Sequence, residues 1–324
     1  MRLAKTYGYL KKDLDLIEES LRGRVQARQP ILRQTSEQLL KAGGKRIRPL
    51  FVLLSGALGP ENAKQSLIDA AVTIELIHMA TLVHDDVIDN AAIRRGKPTI
   101  RVRYDNRTSM YTGDYILACA LESITKINNP DIHKLLSKTI VEVCTGEVEQ
   151  IRYKFDWDQN LRVYLRRIRR KTAILIATCC KIGGMLAGLS NRSSNKLFKY
   201  GYYLGMSYQI IDDILDFTAS EKQLGKPVGN DLLQGNITLP VLEAMKDEDF
   251  FEHAKTLIQK GEDADSKDIQ QLVCQMKKLN AIERSYAMSN RYLKKALESL
   301  TEFEETKAKQ TLIEIAAYMG KRSF

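Results

Sequence analysis

The sequence predicts an all-α protein, a single large helical-bundle domain spanning residues 1–324. Three observations carry that expectation. Apolar side chains recur at three- and four-residue spacing in segment after segment, the pattern of helices with one buried face. Only seven prolines interrupt the chain, and 44% of its residues are hydrophobic, enough for a large core. No internal repeat, low-complexity tract or linker rich in Gly, Ser or Pro divides it, so no domain boundary is visible.

Residues 3–22 place Leu3, Leu10, Leu14, Ile17 and Leu21 at helical spacing, and residues 31–42 continue with Ile31, Leu32, Leu39 and Leu40. Gly43-Gly44 ends that helix. The next begins near Pro49, a residue suited to a first helical turn, and runs through Leu50-Phe51-Val52-Leu53-Leu54. Lys45-Arg46-Ile47-Arg48 is thus a basic loop leading into a helix N-terminus, where backbone N–H groups favour an anion. From about Ala63 to Asn90 the pattern is a long, largely buried helix. On it Asp85 and Asp89 share a face with Thr81, His78 and Ile74. Arg94-Arg95-Gly96-Lys97-Pro98-Thr99 reads as a loop. Helical patterns resume at about 111–128, 131–154, 160–188 and 194–218, the last carrying Asp212 and Asp216 at i, i+4. A loop containing Gly225-Lys226-Pro227-Val228-Gly229 follows, then a helix from near Pro240 and amphipathic helices to Phe324, whose expected role is packing and assembly.

The five cysteines have no CxxC spacing, and the N-terminal residues are charged without an apolar h-region, which points to a reducing cytoplasm. The longest nearly uncharged stretch, Thr172 to Asn191, is broken by Lys181 and Gly183-Gly184, so no membrane span is expected and the protein should be soluble. The net charge of +10 implies an anionic partner. Aromatic residues are not interleaved with the basic ones and no nucleic-acid motif is present, so a phosphorylated small molecule leads over nucleic acid.

Two stretches concentrate the chemistry: Asp85-Asp86-Val87-Ile88-Asp89 and Asp212-Asp213-Ile214-Leu215-Asp216. Each lies in an apolar run that should be buried, and burying unpaired carboxylates demands a compensating cation. Two like charges about 4 Å apart repel by roughly 4 kcal/mol at an effective dielectric of 20. Clustered carboxylates suit a hard cation such as Mg²⁺, which is often shared with a substrate phosphate. No Cys and His pair stands at zinc spacing. Metal ions bridging two such clusters would hold a diphosphate and activate it as a leaving group, with an apolar cavity shielding the resulting carbocation from water.

Four ordered stretches resemble the trans-polyprenyl diphosphate synthase family over essentially the full chain. They are Gly43-Gly44-Lys45-Arg46-Ile47-Arg48-Pro49, Asp85 to Asp89 with Arg94-Arg95-Gly96-Lys97-Pro98-Thr99, Lys171-Thr172, and Gln209-Ile210-Ile211-Asp212-Asp213-Ile214-Leu215-Asp216. Met110-Tyr111-Thr112-Gly113-Asp114-Tyr115 and the terminal Gly320-Lys321-Arg322-Ser323-Phe324 resemble the two-subunit, long-chain branch. The resemblance implies an isoprenoid-synthase bundle with a central cavity. An allylic diphosphate, farnesyl diphosphate or longer, would ionise there and be attacked by the alkene of isopentenyl diphosphate. It implies Asp85, Asp89 and Asp212 as Mg²⁺ ligands, with three ions when the allylic diphosphate is bound, and Asp86, Asp213 and Asp216 close behind. Arg94, Lys171, Thr172, Gln209 and Lys226 would contact the allylic diphosphate. Lys45, Arg48, His78 and Arg95 would hold isopentenyl diphosphate. Glu147 and Gln150 match a further Gly-Glu-x-x-Gln stretch.

The family's product grows down a tunnel starting below the first cluster. Ala80 and Thr81 stand five and four residues before Asp85, where short-chain members resemble this pattern but carry bulky aromatics. Small side chains imply a long product, and the resemblance points to seven units, as in a menaquinone side chain. It also implies a small partner subunit, with a homodimer as the alternative. One departure is Gly235-Asn236-Ile237-Thr238, where many members have Gly-Lys-x-Thr; Asn236 is not assigned to diphosphate binding.

Bland readings stand beside these. His78 alone could be a core histidine, and His84 lies off the Asp85 face. The run Arg162, Arg166, Arg167, Arg169 and Arg170 is expected to be a solvated basic face, with peripheral contact to anionic lipid as its other use. A terpene cyclase shares the metal chemistry but has no need of the Gly-Gly-Lys-Arg-x-Arg loop. A non-catalytic subunit would have lost one or both acidic motifs.

Overall fold

The computed structural model describes residues 8–219, 228–260 and 266–320. The protein is all-α. Among the described residues the only strands are Ile93–Arg94 (β1) and Lys97–Pro98 (β2), an antiparallel pair joined by Arg95-Gly96. Both turn residues have positive φ, 53° and 74°, the two-residue hairpin geometry that matches strand twist. The chain's contacts gather into two compact units of similar size, each with its own core.

One unit comprises the residues up to Leu135, with Cys179–Leu197 and Phe303–Leu312. Its helices α1 (Lys11–Arg24), α2 (Pro30–Ala42), α3 (Ile47–Gly56), α4 (Lys64–Ile88), α5 (Ile100–Arg103) and α6 (Asn106–Ile124) follow the predicted order. Capping explains two of the boundaries. Gln29 accepts a hydrogen bond from Leu32 N with Pro30 at the first position, and Asp105 accepts from Thr108 N, so α6 starts earlier than periodicity indicated. The central helix is α4, which packs most extensively against α6 and then α3. By length and composition α4 is apolar enough to cross a bilayer, but 78% of its most apolar window is buried inside the protein. The apolar stretch to be accounted for is therefore α4, not Thr172–Asn191. Close helix approach is built in at Gly183, where a Cβ would lie 2.3 Å from the Val52 carbonyl oxygen of α3.

The other unit comprises Leu136–Thr178, Phe198–Glu302 and the residues from Ile313. After α7 (Pro130–Arg152), the segment expected as one helix over 160–188 is divided into α8 (Leu161–Ile168), a π turn (Arg169–Ala173) and α9 (Ile174–Leu186). The π turn carries one residue more than an α turn, so side chains before and after it do not share a single α-helical face. Lys171 and Thr172 sit on that turn. Helix α10 (Asn191–Thr218) bears the second acidic stretch. Around it Tyr164, Met206, Ile210, Ile214, Phe217 and Leu239 form the unit's core, each burial contributing roughly 1.5–3 kcal/mol before entropy is counted.

Candidate active site

In the first unit the basic loop is shaped by two glycines with different jobs. Gly43 has φ 68° and ψ −162°, open only to glycine, while a Cβ on Gly44 would lie 2.6 Å from the Arg95 guanidinium. Arg46 follows in the left-handed region and is 6% exposed. Its guanidinium donates to Glu75 Oε1 at 2.7 Å and, through Nε and Nη2, to both carboxylate oxygens of Glu18. Glu75 is itself 2% exposed on α4, so Arg46 is the counter-ion of a buried carboxylate and ties the loop to two helices. Helix α3 then opens at Ile47, placing Arg48 in its first turn with Nε buried and facing no hydrogen-bond acceptor.

His78, on α4, is held neutral. Burial lowers its pKa well below the ordinary value, and the charges of Arg48, Arg95, Arg94 and Arg46 add to the effect. Burial also lowers Arg95, opposed by Glu75 and reinforced by the neighbouring arginines. A solvent-open cleft of about 550 Å³ is lined in part by Gly43, Arg46, Met79, Asp86, Arg94 and Arg95. Three of the arginines whose charges act on His78, namely Arg46, Arg94 and Arg95, line this cleft, two of them paired with carboxylates.

The first acidic stretch divides by exposure. Asp85 and Asp89 are half-buried and adjacent, Asp89 N donating to Asp85 O at 2.8 Å where α4 ends. Asp86 is 6% exposed and accepts from Arg94 Nε and Nη2, both at 2.6 Å. Burial raises Asp86 above the ordinary carboxylate range although Arg94 works against it. One turn earlier Ala80 is buried, and Thr81 donates its hydroxyl to His78 O at 2.8 Å.

The second stretch, in the other unit, repeats the division. Asp212 is exposed, whereas Asp213 and Asp216 are 3% and 1% exposed. Asp213 Oδ2 accepts from the Tyr164 hydroxyl at 2.7 Å and Oδ1 from Gln209 Nε2 at 2.9 Å. Burial, with Asp231 adding, pushes Asp213 up to about 7, against the two hydrogen bonds. Asp216 Oδ2 accepts from Asp231 N at 3.0 Å. Thr172 Oγ1 donates to Gln209 Oε1 at 2.6 Å, and Lys171 Nζ donates to Gln150 Oε1 at 2.8 Å with Glu147 at 4.0 Å. Glu147 and Gln150 therefore position Lys171.

Two expectations are corrected. The acidic stretches are not uniformly buried: Asp85 and Asp89 are half-buried and Asp212 is exposed, while the buried Asp86, Asp213 and Asp216 have hydrogen-bond partners within the protein. The cation that compensates Asp86 is Arg94. The arginine run is a solvated face only in part, at Arg162 and Arg166. Arg167 is 5% exposed and donates to Gln159 Oε1 and the Ile237 carbonyl. Arg169 and Arg170 pair with Glu142, and Arg166 and Arg170 with Glu149. Arg162 remains exposed. Asn236 Oδ1 is buried and receives no hydrogen bond, and Lys226 lies outside the described residues.

The sequence profile of the Polyprenyl synthetase family matches residues 29–314. This chain is a member of that family. A polyprenyl synthetase named "Heptaprenyl diphosphate synthase component 2" from Bacillus subtilis is 51% identical over 100% of this chain and 92% of its own length. A protein of the same name from Geobacillus stearothermophilus is 50% identical over 100% of both chains. Among solved structures, heptaprenyl diphosphate synthase from Staphylococcus aureus superposes with a TM-score of 0.90 at 41% identity, covering 97% of this chain and 98% of that one. A Caulobacter crescentus polyprenyl synthase complexed with calcium and isoprenyl diphosphate gives 0.92 at 28% identity, covering 99% and 98%.

Polyprenyl synthetases depend on Mg²⁺ in general. Among the described residues no group of three or more His, Cys, Asp or Glu side chains is gathered around one point. The donor set nevertheless fits. Asp85, Asp89 and Asp212 are the least buried carboxylates of their stretches and offer only oxygen, the donor Mg²⁺ prefers.

Sequence reasoning passed over Arg46, Glu75, Tyr164 and Arg167. Glu75 was open to the argument already used for the aspartates, since it interrupts Val72-Thr73-Ile74 and Leu76-Ile77 and needs a partner. Tyr164 and Arg167 had no such signal, because both fit an amphipathic helix.

Proposed function

We propose that this long-chain trans-prenyltransferase is the catalytic subunit of a heptaprenyl diphosphate synthase working in the cytoplasm, its 324 residues acting as one catalytic domain. Its product would supply a menaquinone side chain. The observation that supports the site assignment is the difference in burial within the acidic stretches: Asp85, Asp89 and Asp212 are less buried than Asp86, Asp213 and Asp216.

Asp85, Asp89 and Asp212 would hold Mg²⁺, three ions when the allylic diphosphate is bound, with Asp86 and Asp216 supporting them. Bound Mg²⁺ supplies Lewis-acid stabilisation of the departing diphosphate. Arg94, Lys171, Gln209 and Thr172 line the allylic diphosphate, with Lys226 added from the resemblance. Lys45, Arg48 and Arg95 bind the second diphosphate, that of isopentenyl diphosphate. His78, neutral within its arginine ring, offers that substrate a hydrogen bond without repelling the guanidinium groups. The allylic carbon–oxygen bond breaks, the isopentenyl alkene attacks the cation, and a proton is lost to the released diphosphate. Ala80 and Thr81 leave room for the chain to lengthen, roughly one helical turn of ~5.4 Å per isoprene unit.

The name "component 2" belongs to the relatives and implies a second component for them. For this chain a small partner subunit is part of the proposal. The test incubates the purified chain with Mg²⁺, farnesyl diphosphate and labelled isopentenyl diphosphate, with and without the partner component of a close relative. Seven-unit product only when both are present supports the reading. Full-length product from the chain alone removes the partner, and a product of four units or fewer removes the long-chain assignment.

A further inference from the structure

Behind Thr172 and Gln209 a chain of buried polar groups runs to a tyrosine to which no role has been assigned. Tyr164 is fully buried beneath Arg167, whose guanidinium lies 5.7 Å from the ring centroid. Its hydroxyl donates to Asp213 Oδ2 at 2.7 Å, and the other oxygen of that carboxylate takes Gln209 Nε2 at 2.9 Å. With the amide nitrogen committed there, Gln209 turns its carbonyl oxygen to Thr172, 2.6 Å away. Every link has a direction. One Asp213 oxygen takes the phenol and the other takes the amide nitrogen, which sets the end of the carboxamide that faces it, and the carboxamide oxygen then takes the threonine hydroxyl.

We propose that Tyr164 is a positioning residue for allylic diphosphate binding: through Asp213 it locks the Gln209 carboxamide, and through Gln209 it sets the hydroxyl of Thr172. The proposal rests on the reading that Gln209 and Thr172 line that substrate. The geometry supports a role beyond packing because both oxygens of Asp213 are engaged, one by the phenol and the other by the Gln209 amide. Without the phenol, one oxygen of Asp213 loses its donor and the carboxylate can rotate. Thr172 also stands on the π turn, one helical segment after Tyr164, so the hydrogen-bond chain spans the place where the helix changes register.

The test is Tyr164→Phe, which keeps the ring and removes only the hydroxyl. A positioning role raises KM for farnesyl diphosphate about tenfold, the usual scale of one charge-assisted hydrogen bond, while KM for isopentenyl diphosphate stays within about twofold. A double-mutant cycle adds the readout that a merely structural role does not move. In the Gln209→Ala background, Tyr164→Phe leaves KM for farnesyl diphosphate unchanged, because the residue through which it acts is gone. Independent, additive effects of the two changes overturn the proposal, as does a Tyr164→Phe chain that fails to fold where Gln209→Ala folds. If Gln209→Ala and Thr172→Ala leave that KM untouched, the site assignment itself fails. If they raise it and Tyr164→Phe does not, only the relay fails.

Discussion

Replacing Arg46 with methionine leaves Glu75 buried without its counter-ion. Glu75 is 2% exposed and takes a 2.7 Å hydrogen bond from Arg46, so losing the guanidinium costs about 3–5 kcal/mol. The Glu18 contact adds under ~1 kcal/mol, because that side chain is 34% exposed and water replaces its partner. Unfolding entropy of ~2.1 cal/mol/K per residue over 324 residues is about 0.7 kcal/mol/K, so a loss of ~4 kcal/mol lowers Tm by about 6 °C for cooperative melting. Differential scanning calorimetry of Arg46→Met measures this directly. The double variant Arg46→Met with Glu75→Met should recover most of the loss, since removing both charges avoids the desolvation cost. A single variant within 1 °C of the parent, or a double variant no better than the single, refutes the buried-charge account. Because Arg46 anchors the loop carrying Lys45 and Arg48, the single variant should also raise KM for isopentenyl diphosphate.

Ala80→Phe or Thr81→Phe should shorten the product, and mass spectrometry of the extracted lipid contradicts the tunnel reading if the length distribution is unchanged. His78 gives a pH dependence of definite sign. Its folded-state pKa lies below the unfolded value of 6.5, so the unfolded chain binds more protons below that pH and stability is lost as pH falls from there. Urea midpoints measured between pH 5 and 8 should therefore fall less steeply on the acid side in His78→Gln than in the parent. Parallel curves for the two would show that the neutral imidazole contributes nothing to acid sensitivity.

Periodicity located nearly every helix in this chain, because most helices bury one face and their caps are written in Gln29, Pro30, Asp105 and Gly43. It could not reveal the π turn at Arg169–Ala173, whose residues satisfy either register, nor the hairpin, too short to show alternation. In the acidic stretches, residue type pointed to the family but misjudged burial. Apolar neighbours at one and two positions' distance occupy other faces of a helix, so Asp212 can be exposed between Ile211 and a buried Asp213. Partners that come from distant segments, such as Glu75 for Arg46 or the Ile237 carbonyl for Arg167, left no trace in local spacing. The same holds for the glutamates of residues 142 and 149 that absorb the arginine run.

Under the proposed function Asp85, Asp89 and Asp212 carry prenyl transfer. The most direct measurement is incorporation of labelled isopentenyl diphosphate by Asp85→Asn and Asp212→Asn across a Mg²⁺ titration, with helical content followed by circular dichroism. Each variant should keep the fold and lose turnover by orders of magnitude at every Mg²⁺ concentration. Near-parental turnover at saturating Mg²⁺ would contradict the account.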